Sequence, residues 1–185
     1  MNPVWVRHAP VRVSGLCYGR CDVPTALPAR AAAAVVQARL PARSWQRVWT
    51  SPISRCFELA VVLAHALDAE LRPDPRLAEL DYGKWEGRLW EEIRDSEAGA
   101  YTSWMADWQR QAPPEGESAP ELQARVCHWR AEVEPRPEDL VVAHAGVIRA
   151  WLAGLPGGSW MQAMSREVPF LRPLEIDDDG RFARP

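Results

Sequence analysis

The chain reads as an α/β protein: a three-layer α/β/α arrangement around a mostly parallel sheet, with a helical, lid-like insertion. Three observations predict it. Short valine-rich runs at Val4-Trp5-Val6, from Trp45 to Thr50, and at Leu140-Val141-Val142-Ala143 have the unbroken apolar character of strands buried on both faces. Stretches of helical apolar spacing separate them, and strand–helix–strand alternation favours parallel pairing with helices on both sides. The stretch from Arg76 to Pro114 departs from that alternation and is rich in tryptophan and acidic residues.

The elements follow in order. The strand over 4–6 opens into a loop containing Ser14-Gly15 and Gly19 that ends at Val23-Pro24. Pro28 suits the first turn of an alanine-rich helix to about Leu40, because it has no N–H to leave unpaired. After the strand at 45–50, Ser51 is placed to cap a helix from Pro52 to about Leu67, with Ile53, Phe57, Ala60, Ala64 and Leu67 as its apolar stripe. A short strand fits Glu70–Arg72. Within the insertion, about 76–118, helical spacing begins at Trp90 and is stopped by Pro113-Pro114-Glu115-Gly116. Ser118 then caps a helix with Glu121 in capping-box register and Leu122, Val126, Trp129 and Val133 facing the core. The strand at 140–143 leads to a helix from about Val147, Val168–Ile176 reads as a last strand, and Asp177–Gly180 as a turn. We read 1–185 as a single domain whose insertion covers the carboxyl edge of the sheet. Most of the ten tryptophans are expected in the core, with one or two against a ligand.

Composition excludes several classes. At 185 residues, with 47% apolar and 25% charged residues, the chain is ordinary for a globular protein. Lys+Arg of 22 against Asp+Glu of 25 gives a net charge of −3, and no basic block suggests a nucleic-acid or membrane-surface partner. No apolar run approaches the ~18 residues of a membrane span. Met1-Asn2-Pro3 starts neither a charged n-region nor a long apolar run, so a cytoplasmic location is expected. Cys17, Cys21, Cys56 and Cys127 are expected as reduced apolar packers. Cys17 and Cys21 lack a matching Cys or His pair for zinc. Nothing in the chain indicates an oligomeric state.

Two of the four histidines, His8 and His144, fall just past strands, where open α/β sheets bind their ligands. Arg7 precedes the first, which points to an anionic substrate. In Thr50-Ser51-Pro52-Ile53-Ser54-Arg55 a strand gives way to a helix, and free N–H groups at a helix start favour phosphate. Arg55, one turn in, is placed to present a guanidinium to the same anion. Glu79 lies among apolar and aromatic residues, a setting that suits proton donation. Asp81 and Glu86 are rival acids in the same stretch, and the sequence alone does not rank the three. His65 and His128 read as structural or solvent-facing. The P-loop, the Gly-x-Ser-x-Gly elbow, the Gly-x-Gly-x-x-Gly fingerprint and His-Glu-x-x-His are all absent.

In their order, Arg7-His8, Ser51-Pro52-x-x-Arg55, Glu79 ahead of Gly83-x-Trp85-Glu86-Gly87, and Val142-Ala143-His144-Ala145-Gly146-Val147 resemble the histidine phosphatase superfamily. The loop Leu16-Cys17-Tyr18-Gly19-Arg20-Cys21-Asp22-Val23-Pro24 and the step Gly116-Glu117-Ser118 look like α-ribazole phosphatases within it. The resemblance implies a small-molecule phosphomonoester as substrate, in the first place α-ribazole 5′-phosphate in cobalamin assembly, and neither metal nor cofactor. It implies that His8 attacks phosphorus to form a phosphohistidine. Arg7, Arg55 and a protonated His144 would hold the phosphoryl oxygens, and Glu79 would protonate the leaving alkoxide and then activate water. Tyr18, Gly19 and Arg20 are further candidates for substrate contact. Elementary chemistry is consistent with the nucleophile, since a neutral imidazole needs no strong base to activate it. After His8 the chain has Ala9-Pro10 where mutases place glycine and an acidic or polar residue, and their later asparagine is absent. Both departures favour the phosphatase branch. The alternatives are a phosphoglycerate mutase-like enzyme, a broad sugar-phosphate phosphatase, or a non-catalytic phosphate-binding module, which would normally have lost a reacting residue.

Overall fold

In the computed structural model, which describes residues 2–182, five strands form one sheet. The chain runs β1 (Val4–Arg7), α1 (Ala29–Gln37), β2 (Arg47–Thr50), α2 (Ser54–Ala66) and β3 (Glu70–Pro73). The insertion supplies α3 (Trp90–Ser96) and α4 (Ala98–Ala106). It is followed by α5 (Ala119–Val133), β4 (Asp139–Ala143), α6 (Ala145–Ala153), α7 (Trp160–Met164) and β5 (Pro173–Glu175). The strand order is β3-β2-β4-β1-β5, parallel throughout except for the antiparallel edge strand β5. The α/β sandwich with a mostly parallel sheet is thus the observed fold.

Period-two alternation builds the two outer layers. Val4 and Val6 of β1, with Val48, Leu140 and Val142, pack under α1 and α2. Trp5, Val141 and Ala143 point the other way, against α5 and α6. Trp5 is fully buried with its ring 5.9 Å from that of Trp129 and 5.1 Å from that of Trp151, so tryptophan fills this core as expected. β1 and β4 are neighbours, with Arg7 opposite Ala143. The next residue on each strand is a histidine, so the register alone brings His8 and His144 together at the carboxyl edge.

Several elements differ from expectation, each for a physical reason. α2 begins at Ser54, because Ile53 is extended (φ −68°, ψ 134°). Ser51 is therefore not its cap. The buried face of α2 is Cys56, Leu59, Ala60, Leu63 and Ala64, rotated from the predicted stripe so that Arg55 is buried too, while Phe57 is only half covered. The insertion helix is broken into α3 and α4 at Glu97, whose carboxylate accepts from Trp85 Nε1 and Arg88. The last strand shortens to Pro173–Glu175 because Leu171 takes a positive φ of 54°. α7 was not expected; five residues, capped by Ser159, are too few for periodicity to register. His65 and His128 are exposed, and the Ser118–Glu121 capping box forms as read.

The indole N–H of Trp5 has no hydrogen-bond partner among the described residues. Trp5→Ala should therefore cost about 3–5 kcal/mol through the cavity it leaves, and Trp5→Phe only about 1–2 kcal/mol. Urea unfolding at pH 7 measures both; equal costs would mean that the indole nitrogen, not ring volume, matters.

Candidate active site

Beyond the carboxyl ends of β1 and β4 lies a cleft of about 430 Å³, with Arg7, His8, Glu79, Ala145 and Gly146 among its lining residues. The rings of His8 and His144 stand 5.2 Å apart at 63°. His8 Nδ1 is 2.7 Å from the carbonyl of Ala9. A carbonyl can only accept, so Nδ1 carries the proton and Nε2 keeps its lone pair. Burial, with the charges of Arg55 and Arg7, outweighs that carbonyl and pushes His8 down to about 3. It is a neutral imidazole at physiological pH. His144 is held well below its ordinary value by burial first, then by Arg55, with His8, Arg125 and Arg7 acting in the same direction. Its Nε2 is 2.8 Å from Ser51 Oγ and 3.4 Å from Cys56 Sγ. The charged donor role outlined for His144 therefore needs an anion in the cleft to raise its proton affinity.

The two arginines are held in different ways. Arg7 Nη1 donates to the carbonyl of Val168 at 2.9 Å, and its guanidinium lies 3.6 Å over the ring of Phe170. Burial lowers its pKa, although an arginine so placed stays charged. Arg55, 3% exposed, donates through Nη1 to Cys21 O at 3.0 Å and through Nη2 to Gly19 O, with Tyr18 stacked 5.3 Å away. Nε of each arginine is buried without a partner among the described residues. Arg55 and His144 do not line the cleft; they are buried against its His8 end. The N-terminus of α2 is not the expected phosphate seat. Asp22 fills it, accepting from Ser54 Oγ at 2.7 Å and Ser54 N–H at 3.3 Å. Ser51 Oγ accepts from Ile53 N–H at 3.2 Å and faces His144 instead.

Of the three rival acids only Glu79 lines the cleft. Its Oε2 accepts from Gly146 N–H at 3.1 Å, at the start of α6, and its Oε1 from Leu80 N–H at 3.0 Å. A Cβ at position 146 would stand 2.2 Å from Glu79 Oε1, so glycine is what lets the carboxylate sit there. Asp81 accepts from Gly83 N–H at 2.8 Å and pairs with Arg20 at 3.2 Å. Glu86 accepts from the N–H groups of Gly19 (2.9 Å), Arg20 (2.8 Å), Cys21 (3.1 Å) and Tyr82 (3.0 Å). Burial alone would raise its pKa, but those donors outweigh it and hold Glu86 below the usual carboxylate range. It is a fixed anion tying down the loop whose carbonyls aim Arg55.

The remaining candidates separate. Tyr18 lines the cleft. Gly19 lends a carbonyl to Arg55, and its own Cβ would lie 1.8 Å from Leu80 O. Arg20 turns outward to Asp81 and Glu117 and does not line the cleft. Sequence reading missed Phe170, which lies in an irregular segment with no motif. It also missed Arg149, which lines the cleft with no hydrogen-bond or ion-pair partner among the described residues. The signal for Arg149 was available, three residues past Gly146 on the same helical face. Among the described residues no group of three or more His, Cys, Asp or Glu is placed to hold a metal ion.

Comparison with known proteins agrees with this geometry. The model of the histidine phosphatase superfamily (branch 1) matches residues 4–176. The chain is 26% identical over 155 residues to the adenosylcobalamin/alpha-ribazole phosphatase of Salmonella typhimurium, covering 81% of this chain and 77% of that protein. It is 29% identical over 129 residues to phosphoserine phosphatase 1 of Hydrogenobacter thermophilus, covering 65% of this chain and 61% of that protein. The crystal structure of the alpha-ribazole phosphatase from Shigella flexneri shares the fold, with a TM-score of 0.83 at 24% identity over 100% of this chain and 95% of that one.

Glu86→Gln should loosen the loop from Gly19 to Cys21, costing about 1–3 kcal/mol, since one amide oxygen cannot serve the same N–H groups. Folding holds the Glu86 carboxyl below its ordinary range. The carboxylate's contribution is present above the ordinary glutamate range and is lost as pH falls through the folded value, so the gap between wild type and variant should close in acid. Denaturant midpoints at pH 7 and pH 3 check this, and a gap independent of pH would refute it.

Proposed function

The chain belongs to the histidine phosphatase superfamily, and from that premise we propose that it is a phosphomonoesterase working through a phosphohistidine on His8. One observation carries the reading: a neutral His8 with a free Nε2 lone pair, 5.2 Å from His144, shares a cleft with Arg7 and Glu79. His8 Nε2 attacks phosphorus as the bond to the alcohol oxygen breaks. Charge on the phosphoryl oxygens is met by Arg7, by Arg55 and by His144, which gains proton affinity from the anion beside it. Glu79 gives its proton to the departing alkoxide. As a carboxylate it then takes a proton from water, whose oxygen displaces His8 and releases inorganic phosphate.

Within this class the substrate we propose is α-ribazole 5′-phosphate. The loop from Leu16 to Pro24, the relatives named for that activity and the aromatic lining of the cleft support it. A second reading, a phosphatase of small polar esters, draws on the Hydrogenobacter relative. Tyr82, Trp90, Trp104, Trp108 and Trp160 around the cleft favour the larger substrate. A mutase would have to keep its phosphohistidine from water, so rapid hydrolysis of the trapped intermediate separates the two.

Protein incubated with labelled α-ribazole 5′-phosphate and quenched in base should carry an acid-labile phosphoryl group, absent from His8→Ala; full turnover by that variant would refute the mechanism. The pH profile gives a further check. A histidine folded at about 3 is neutral across the range where one at its usual value would titrate, so kcat/KM should show no loss near pH 6.5 assignable to His8. An acid limb there that is unrelated to the substrate's own ionisation would contradict it.

A further inference from the structure

The cleft is larger and more apolar than phosphate requires. A phosphate fills a few water volumes, ~30 Å³ each, against about 430 Å³ here. Pockets of this size, apolar with a few polar groups, fit whole small molecules. The chemistry dictates which way the rest of the substrate extends. In-line transfer puts His8 and Glu79 on opposite sides of phosphorus, so the alcohol half lies past Glu79. There α6 presents Gly146, which binds Glu79, and then Arg149 on the same face. Arg149 carries a permanent charge into the cleft and has no hydrogen-bond or ion-pair partner among the described residues. Trp104 of α4 and Trp108 just after it also line this cleft, with Trp160 of α7, and Trp108 meets Trp160 edge to face at 5.8 Å and 88°. Met105 and Met164 at the rim are 51% and 44% exposed. Single exposed apolar residues need no explanation, but a cluster continuous with a reactive centre does.

We propose that this end of the cleft is a leaving-group subsite: Trp104, Trp108 and Trp160 take a planar aromatic ring, and Arg149 donates to the oxygens between ring and phosphate. The proposal rests on the phosphomonoesterase reading and specifies how that site recognises the alcohol half. An aromatic face gains stacking on indole and contact with methionine sulfur. A small hydrated alcohol such as serine or glycerate gains nothing from such a wall.

The test compares kcat/KM for α-ribazole 5′-phosphate and ribose 5-phosphate, which share the phosphorylated sugar and differ in the ring. Wild type should favour the ring ester at least tenfold. Trp108→Ala and Trp160→Ala should each reduce that preference about tenfold, through KM rather than kcat, as expected for one lost stacking contact. Arg149→Met should raise KM for the ring ester about tenfold and the inhibition constant of inorganic phosphate much less. As a measurement independent of the variants, α-ribazole without its phosphate should quench wild-type tryptophan fluorescence saturably. Equal wild-type efficiencies, a preference that survives both tryptophan changes, or absence of saturable quenching overturns the ring subsite. An inhibition constant for phosphate that rises as much as KM overturns the role of Arg149. No turnover of either ester and no phosphoryl group on His8, with quenching intact, is instead the failure of the phosphomonoesterase reading.

Discussion

Two guanidiniums and two imidazoles are packed at one end of a sheet, and concentrated positive charge in a poorly solvated place is the constraint to which the surroundings answer. Uncompensated buried charge is costly. Among the described residues no carboxylate pairs with Arg7 or Arg55, so their field is left uncancelled for the anion proposed to bind there. Carbonyl oxygens solvate them instead: Val168 for Arg7, Gly19 and Cys21 for Arg55. Aromatic faces at Phe170 and Tyr18 add quadrupole attraction without net charge. The imidazoles respond by staying neutral, and the same desolvation that keeps them neutral leaves the Nε2 lone pair of His8 free.

Those carbonyls need a support of their own. A loop that turns its C=O groups toward Arg55 turns N–H groups the other way, and the Glu86 carboxylate collects them. The negative charge is therefore one step removed from the cleft, behind the peptide planes, where it fixes geometry without occupying the anion's place. Asp22 does similar service for the start of α2. Among the described residues Glu79 is the one acid that lines the cleft, and its position depends on the absence of a side chain at Gly146.

Sheet and insertion divide the work. The side chains proposed to react, His8 and His144, sit at the ends of β1 and β4, strands buried against two cores, and Glu79 is held by the start of α6. The aromatic surface comes from α4, which buries none of its own residues, from Trp108 just after it, and from the short α7. On the proposed reading, a rigid floor carries the chemistry while a less anchored wall selects the leaving group.

Much of this was legible in the residues themselves. Valine-rich strands, helical stripes and the Ser118–Glu121 box depend on neighbours within a few positions, so they announced the α/β order, the capping of α5 and the strand-end placing of His8 and His144. What tertiary structure alone decided depends on partners far along the chain. Asp22 rather than a ligand meets Ser54, and Ser51 faces His144 across 93 positions. Glu86 became a structural anion and Glu79 the cleft acid because of which N–H groups lie within reach of each. Arg20 turned to Asp81 and Glu117, while Arg149 was left facing the cleft. Hydrogen bonding and desolvation act over a few ångströms in space irrespective of separation in sequence, which is why the pattern of residues set the fold and the reacting types while packing assigned each charge its role.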